Sequence, residues 1–233
     1  MILVFFIYGL SFFVLGLAVL IYPKKNSLFD LASHVNLVAW FGIIHGVNEW
    51  LDMSILIHEP VNTYATQVIR AIVLPGSFIL LVLFGVRTIV ESKPKYASLK
   101  LLPAALTLIW AVATLISSHR FLIGDITARY FLCIPGTILT SCALGLHLPQ
   151  LRKTGLKSVI ANVKCMMVIF VAYGFLAGVV VPKASFPPAS FLNYDSVLAT
   201  LGFPVQILRA ICATLLAYSM LRAFLTLLLF GAV

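Results

Sequence analysis

Seven runs of about twenty apolar residues constrain this chain more than any other feature of its sequence. A hydrocarbon layer about 30 Å thick requires roughly 20 apolar residues for each helical crossing. Only 10% of the residues are charged, against roughly 25% in soluble domains. The sequence therefore predicts an all-α integral membrane protein, in which residues 1–233 form one seven-helix transmembrane module without a soluble output domain. The expected spans are about Ile2–Tyr22, Leu37–Ile57, Ala65–Val90, Leu99–Ser117, Ala128–His147, Lys164–Pro182 and Ala199–Leu221.

The basic residues predict an orientation for these seven spans. Ten follow the first, third and fifth spans: Lys24, Lys25, Arg87, Lys93, Lys95, Lys100, Arg152, Lys153, Lys157 and Lys164. Five follow the second, fourth and sixth spans: Arg70, Arg120, Arg129, Lys183 and Arg209. Lysine and arginine accumulate in cytoplasmic loops, so the N-terminus is expected outside and the C-terminus inside. Topology and anionic inner-leaflet lipid account for the net charge of +9, and no nucleic-acid partner is expected.

Three of the expected helices begin with similar sequences. "VIRAIVLPGS" contains Arg70, "TARYFLCIPGT" contains Arg129 and "ILRAICATLL" contains Arg209. The first two also share Pro-Gly, at Pro75-Gly76 and Pro135-Gly136. This partial repeat indicates one leading helix followed by three hairpins. The alternative is that three helices simply share an interfacial arginine, and the Pro-Gly pairs mark either a moving part or a packing device.

The stretch "IIHGVNEWLDM" places four polar side chains inside the second span. At 100° per residue, His45, Glu49 and Asp52 lie within about 60° of one another, with Asn48 adjacent. Each ionisable group in a span costs about 2.5–3.5 kcal/mol on insertion scales, so the four should face the bundle interior or a wet cavity. The expected partners are the three arginines at similar depth. The candidate ligand-binding residues are His45, Asn48, Glu49, Asp52, Arg70, Arg129, Gln206 and Arg209.

Two interpretations of these residues involve no metal. In the first, Glu49 or Asp52 pairs with Arg70 or Arg209 and fixes the helix register. In the second, a pocket opens outward and surplus arginine binds an anionic or polar small molecule, since the planar guanidinium suits a carboxylate or phosphate.

A third interpretation is a metal or haem site. His45 and Glu49 stand four residues apart, a spacing that allows two side chains on a helix to share an ion. Further ligands would come from His34, His58 or His119. No second ligand pair at diagnostic spacing supports this interpretation, so no cofactor is predicted. The four cysteines have neither CxxC nor CxH spacing and are expected to be buried small hydrophobes.

Both ends of the chain resemble the N-terminal membrane region of bacterial sensor histidine kinases and diguanylate cyclases. That region has a Gly-x-x-Phe-Phe-x-x-Gly-Leu-Ala pattern, then Leu-Ala, then Phe-Gly-x-x-His-Gly-x-x-Glu-Trp. The matching residues here are Gly9, Phe12, Phe13, Gly16, Leu17, Ala18, Leu31, Ala32, Phe41, Gly42, His45, Gly46, Glu49 and Trp50. In "GFPVQILRAICATLLAYSMLRAF" the matching residues are Pro204, Gln206, Arg209 and Ala210.

The resemblance implies a non-enzymatic sensor in the bacterial cytoplasmic membrane. The resemblance implies no ligand chemistry; the arginines near the outer side predict a small anionic, amphipathic or lipid-like ligand that binds from outside. The last helix of such a module would pass the signal to a cytoplasmic kinase or cyclase, in a two-component or cyclase pathway. The chain departs from the family because "MLRAFLTLLLFGAV" stays apolar to Val233, so the output domain is expected either in a longer chain or in a separate protein.

Other functions and an oligomeric state also follow from the sequence as expectations. A homodimer is expected from the resemblance, although no GxxxG run is expected to mark its interface. The alternative functions are a small membrane transporter or a metal-dependent membrane enzyme that uses the cluster of His45, Glu49 and Asp52.

Overall fold

The computed structural model describes residues 1–22, 34–57 and 63–230, and over these residues the chain is all-helical. The helices are α1 (Ile2–Ile21), α2 (Val35–Ile57), α3 (Tyr64–Ser92), α4 (Leu102–Leu115), α5 (Arg120–Ala128), α6 (Ile134–Lys153), α7 (Lys157–Gly178), α8 (Tyr194–Leu201) and α9 (Val205–Phe230). A 3₁₀ segment (Pro94–Leu101) precedes α4, and a π-helical turn (Arg129–Cys133) joins α5 to α6. Lys24, Lys25, Leu31, Ala32 and His58 lie outside the described residues.

Six helices among the described residues are long and apolar enough to cross a membrane. They are Ile2–Ile21, Tyr64–Ser92, Pro94–Leu115, Arg120–Lys153, Lys157–Gly178 and Val205–Phe230. The protein is therefore a multi-pass membrane protein by the length and composition of its helices. The helix α2 is long enough, at 23 residues, but its polar stretch leaves it outside this set.

Six helical columns pack in a closed ring. Going round it, α1 contacts α2, α2 contacts α3, α3 contacts α6, α6 contacts α7, α7 contacts α9, and α9 returns to α1. The helix α4 lies outside the ring against α3 and α5, with Leu108 and Leu115 exposed. Aromatic side chains fill the middle of the ring: Tyr8, Phe12, Phe41, Phe78 and Tyr173. The two helices of each hairpin expected from the sequence therefore contact each other. The helix α4 does so from outside the ring.

Glycines allow α1 and α2 to approach closely. A Cβ added to Gly42 would lie 2.6 Å from the carbonyl oxygen of Phe12, and one added to Gly46 would lie 2.6 Å from that of Gly9. Gly42 and Gly46 form a Gly-x-x-x-Gly run, a pattern that allows membrane helices to pack backbone to backbone. This run packs α2 against α1 within one chain.

The predicted start of the fifth span was wrong by eight residues. The helix begins at Arg120 rather than Ala128 and continues to Lys153 through the π-helical turn. The missed part contains the charged residues Arg120 and Asp125, which interrupt the apolar run although the helix is continuous there.

The predicted last span was also misplaced. The helix α8 ends at Leu201, Gly202 adopts a positive φ of 76°, and α9 begins only at Val205. The left-handed conformation favours glycine, and Pro204 follows it at a point where a helix cannot continue from upstream. The apolar run Ala199–Leu221 concealed this break, because its hydropathy is the same on either side. Likewise, α7 begins at Lys157 rather than Lys164.

Side-chain hydrogen bonds join α9 to its neighbours at separate depths. The hydroxyl groups of Ser11 and Thr214 lie 2.9 Å apart, joining α1 to α9. Nearer the other end, those of Ser158 and Thr226 lie 3.4 Å apart, joining α7 to α9. The helix α9 is thereby held along most of its length.

Candidate functional site

A cavity of about 770 Å³ opens at one end of the ring, which we call the cavity end. It lies between the end of α2, the starts of α3, α5 and α9, and the residues that follow α7. Seven of the eight candidate residues line it: Asn48, Glu49, Asp52, Arg70, Arg129, Gln206 and Arg209. Apolar side chains, among them Phe5, Ile55 and Phe121, complete the lining. Its volume is within the range of small-molecule sites, roughly 300–1,000 Å³.

The eighth candidate, His45, lies deeper, among the aromatic side chains in the middle of the ring. Its side chain is 1% exposed, and its ring centroid is 4.8 Å from that of Phe12 and 5.1 Å from that of Phe78. Both ring nitrogens have partners: Nδ1 is 2.9 Å from Ser77 Oγ, and Nε2 is 2.7 Å from Tyr173 Oη. His45 is thus a hydrogen-bonded core residue next to the cavity and does not line it.

The hydrogen bonds at His45 form a chain with one consistent direction. Ser77 donates its hydroxyl proton to the carbonyl oxygen of Leu74 at 2.7 Å, so it accepts from Nδ1–H of His45. In the neutral tautomer that this requires, Nε2 accepts from the hydroxyl of Tyr173. The hydroxyl of Tyr8, 2.7 Å from that of Tyr173, donates at the start of the chain. This chain of hydrogen bonds joins α1, α7, α2 and α3 in the buried middle of the ring.

Two ion pairs neutralise four of the charged side chains that line the cavity. Arg70 Nε lies 2.5 Å from Asp52 Oδ1, in an ion pair without the alignment of a hydrogen bond. Arg129 donates through Nε to Asp125 Oδ1 and through Nη1 to the carbonyl oxygen of Ala177 at 3.0 Å. Of the pairs expected from the sequence, Asp52 with Arg70 is present.

Arg209 binds the backbone at the end of α7 rather than a carboxylate. Its Nε and Nη2 donate to the carbonyl oxygen of Leu176 at 3.0 and 2.8 Å, and Nη2 also donates to that of Val180 at 2.6 Å. Nη1 donates to Tyr194 Oη at 3.3 Å. The last carbonyl groups of a helix have no partners within it and carry partial negative charge, so a guanidinium caps them well. Within the described residues, Arg209 makes no ion pair with Glu49 or Asp52.

Glu49 and Asn48 are buried polar side chains of the cavity that have no cationic hydrogen-bond partner among the described residues. They are 4% and 1% exposed, and Asn48 Nδ2 donates to Glu49 Oε1 at 3.3 Å. Among the described residues no lysine or arginine pairs with Glu49; its one ionisable contact is His45 Nε2 at 3.5 Å. Asn48 Oδ1 is buried without a hydrogen-bond partner. An unsatisfied buried acceptor costs about 1–3 kcal/mol, so this corner is open to a ligand that donates hydrogen bonds.

The residues named for a metal or haem site are separated in the fold. His34 Nε2 lies 3.1 Å from Glu91 Oε2 at the opposite end of the ring, and His119 precedes α5 without lining the cavity. Over the described part of the chain, no group of three or more His, Cys, Asp or Glu is arranged to hold a metal ion. A metal at His45 would first have to displace Ser77 or Tyr173 from its nitrogens.

Several side chains of the candidate site and its surroundings were not predicted from the sequence. Asp125 precedes Arg129 by four residues, a helical ion-pair spacing that was available as a signal. Tyr8, Tyr173 and Ser77 stand alone in apolar runs, and only their hydroxyl groups hinted at a role. Tyr194 gave no signal, because its contact with Arg209 depends on how the chain returns after α7.

Comparison of the chain with protein-family models, with curated proteins and with solved structures gives no match.

Proposed function

We propose that this protein is the sensory module of a bacterial cytoplasmic membrane receptor. In this proposal α2 is the seventh span, the N-terminus is outside and the C-terminus is inside. A small polar or amphipathic molecule enters the cavity from outside, and α9 passes the change to a kinase or cyclase output in the same chain or in a partner. The module works without catalysis, as a homodimer in the full receptor.

The observation that carries the proposal is the convergence of seven candidate residues on one cavity. Their positions in the sequence extend from Asn48 to Arg209, and they come from α2, α3, the π-helical turn and α9. Polar groups are expensive in a membrane interior, and they mark functional paths or sites there. Helix α9 supplies Gln206 and Arg209 to the cavity, so an occupant contacts the helix that leads to the chain's C-terminus.

A ligand shifts a receptor only when it binds two arrangements with different affinity. Arg209 and Arg129 each contact the cavity and the carbonyl groups at the end of α7. An occupant that accepts a hydrogen bond from either guanidinium therefore shares that guanidinium with the contact that holds α7 to its neighbours, so a shift of one affects the other. This sharing supplies the difference in affinity that signalling requires.

Native mass spectrometry of the purified full chain tests the proposal. Ala71 lines the cavity, whereas its neighbour Ile72 is 65% exposed on the outside of α3. We expect wild type and Ile72→Trp to retain a small molecule that Ala71→Trp has lost, because only the latter indole fills the cavity. Retention by all three proteins, or by none of them, would contradict a ligand-binding cavity.

A further inference from the structure

The ionisable side chains of the cavity sum to zero formal charge. Three carboxyl groups, Glu49, Asp52 and Asp125, face three guanidinium groups, Arg70, Arg129 and Arg209. Two of each are already joined, Asp52 to Arg70 and Asp125 to Arg129. A ligand with a net charge would leave that charge uncompensated in a site of low polarity, which is unfavourable. The balance favours an occupant whose own charges sum to zero.

One side of the cavity requires hydrogen-bond donors. The amide of Asn48 is oriented by Glu49, because only its Nδ2 can donate to that carboxylate. Asn48 Oδ1 is then left without a donor, in a side chain that is 99% buried and lines the cavity. Glu49 adds a carboxylate that no lysine or arginine of the described residues neutralises by direct contact. Two adjacent acceptors of this kind suit a positively charged nitrogen that carries N–H groups.

The other side of the cavity offers donors. A guanidinium has five N–H groups, and the bonds of Arg209 to α7 and Tyr194 engage four of them. The bonds of Arg129 to Asp125 and Ala177 engage two of its five. Both arginines lie at the end of α7, across from α2, and both line the cavity. Their remaining N–H groups suit a carboxylate.

Resting on the function proposed above, we propose that the cavity binds a small zwitterion with an N–H-bearing ammonium group and a carboxylate, of which an α-amino acid is the simplest kind. The ammonium group donates to Asn48 Oδ1 and to the carboxylate of Glu49. The carboxylate accepts from Arg209 and Arg129. A quaternary ammonium compound has the same charges but no N–H groups, so it leaves Asn48 Oδ1 unsatisfied. The N–H groups thus distinguish this class from quaternary ammonium zwitterions.

Isothermal titration of the full chain in lipid nanodiscs tests the proposal with four kinds of probe. These are the twenty protein α-amino acids, glycine betaine, methylamine and acetate. We expect at least one amino acid to bind, and the other three probes to bind about 10-fold more weakly or less, since each lacks a charged hydrogen bond. Glycine betaine or acetate binding as tightly as the best amino acid would overturn the proposal, as would the absence of binding by every amino acid.

Matched variants locate the binding. Glu49→Gln keeps the shape of the side chain and removes its charge, so the best amino acid should bind about 10- to 100-fold more weakly. Asp195→Asn makes the same chemical change in α8, outside the cavity lining, and should leave binding unchanged. Asn48→Ala, which removes the unpaired acceptor, is the second variant should Glu49→Gln fail to fold. Equal affinity in the cavity variants and Asp195→Asn would place the amino acid elsewhere and overturn the proposal.

The outcomes distinguish this proposal from the general one. If wild type retains a molecule that Ala71→Trp loses, yet no amino acid binds, the cavity is a binding site and the zwitterion is wrong. If wild type retains nothing and no amino acid binds, both proposals are wrong.

Discussion

At the scale of single residues, the protein keeps polar side chains in its interior by joining them in one directed chain of hydrogen bonds. The hydroxyl of Tyr173 both donates to His45 and accepts from Tyr8, so it has two partners where Tyr8 has one. Removing a group in the middle of a directed chain leaves two neighbours without that bond, whereas removing the group at the start affects one neighbour, which still donates its own hydrogen bond. The positions of the two tyrosines in this chain of hydrogen bonds therefore predict that the same substitution destabilises the fold to different extents.

Tyr173→Phe should destabilise the fold more than Tyr8→Phe. Loss of the Tyr173 hydroxyl leaves His45 Nε2 without a donor and Tyr8 without an acceptor, at about 1–3 kcal/mol. Loss of the Tyr8 hydroxyl removes one hydrogen bond between membrane helices, worth about 0.6 kcal/mol. The free energy of unfolding, measured by titration with denaturing detergent, checks the order. An equal decrease in the free energy of unfolding in the two variants would show that the hydrogen bonds do not have this direction.

Much of the site was visible at this scale from the sequence. The four polar residues of α2 share a face because a helix repeats every 3.6 residues, and the fold keeps them together. What spacing did not indicate was which charges would meet. Arg209 was expected to contact a carboxylate or an anion, but its bonds to the backbone of α7 depend on how the helices pack, which the sequence of α9 does not show.

At the scale of elements, glycine determines how closely helices approach. Gly46 lies against the backbone of α1, whereas a Cβ added to Gly76 in α3 would meet nothing within 4 Å. The two Pro-Gly pairs of the partial repeat also differ: Gly136 would place its Cβ 3.3 Å from Val82, while Gly76 faces open space. The repeated sequence is therefore used for packing at one site and not at the other.

Gly46→Ala should separate α1 from α2 and destabilise the bundle by about 1–3 kcal/mol, the usual effect of overpacking. Gly76→Ala makes the same change without a clash and should be neutral, or stabilising by up to about 1 kcal/mol through helix propensity. Unfolding of both variants in the same detergent gives the comparison. A Gly46→Ala protein as stable as Gly76→Ala would mean that the close approach of α1 and α2 contributes nothing to stability.

The long helices were predictable at this scale, and the bounds of α1, α2 and α3 were predicted to within two residues, whereas the starts of the last three spans were not. Apolar runs of about twenty residues located every long helix, since lipid selects for that length and composition. Boundaries failed where the apolar run continues through a break, as at Gly202 before α9, or where a helix extends beyond its apolar run into charged residues, as at Arg120 and Asp125. Hydropathy indicates whether a residue prefers lipid or water, whereas these helix boundaries depend on the conformation of the backbone.

At the scale of the whole molecule, the proposed orientation makes the cavity an outward-facing site. Lys183 follows α7 near the cavity end, and Lys153 ends α6 at the opposite end; both side chains are exposed. The helix α7 lies between them. The two positions should therefore be on opposite sides of the membrane.

In a cysteine-free variant, a cysteine at Lys183 should react with a membrane-impermeant maleimide added to intact cells, and a cysteine at Lys153 should react only after the cells are opened. This follows from the excess of basic residues at the opposite end of the bundle. Labelling of permeabilised cells controls for the reactivity of each position. The reverse pattern would place the cavity at the cytoplasmic face and overturn the proposed route of entry.

The hydrogen bonds that Arg209 makes to α7 limit how α9 can move relative to α7. A piston stroke of one residue is 1.5 Å, enough to break bonds of 2.6–3.0 Å to Leu176 and Val180. The contacts of Thr214 with Ser11 and of Thr226 with Ser158 resist the same stroke at other depths. These contacts favour a joint movement of α7 and α9, so in the proposed receptor a signal would tilt the two helices together rather than slide α9 alone.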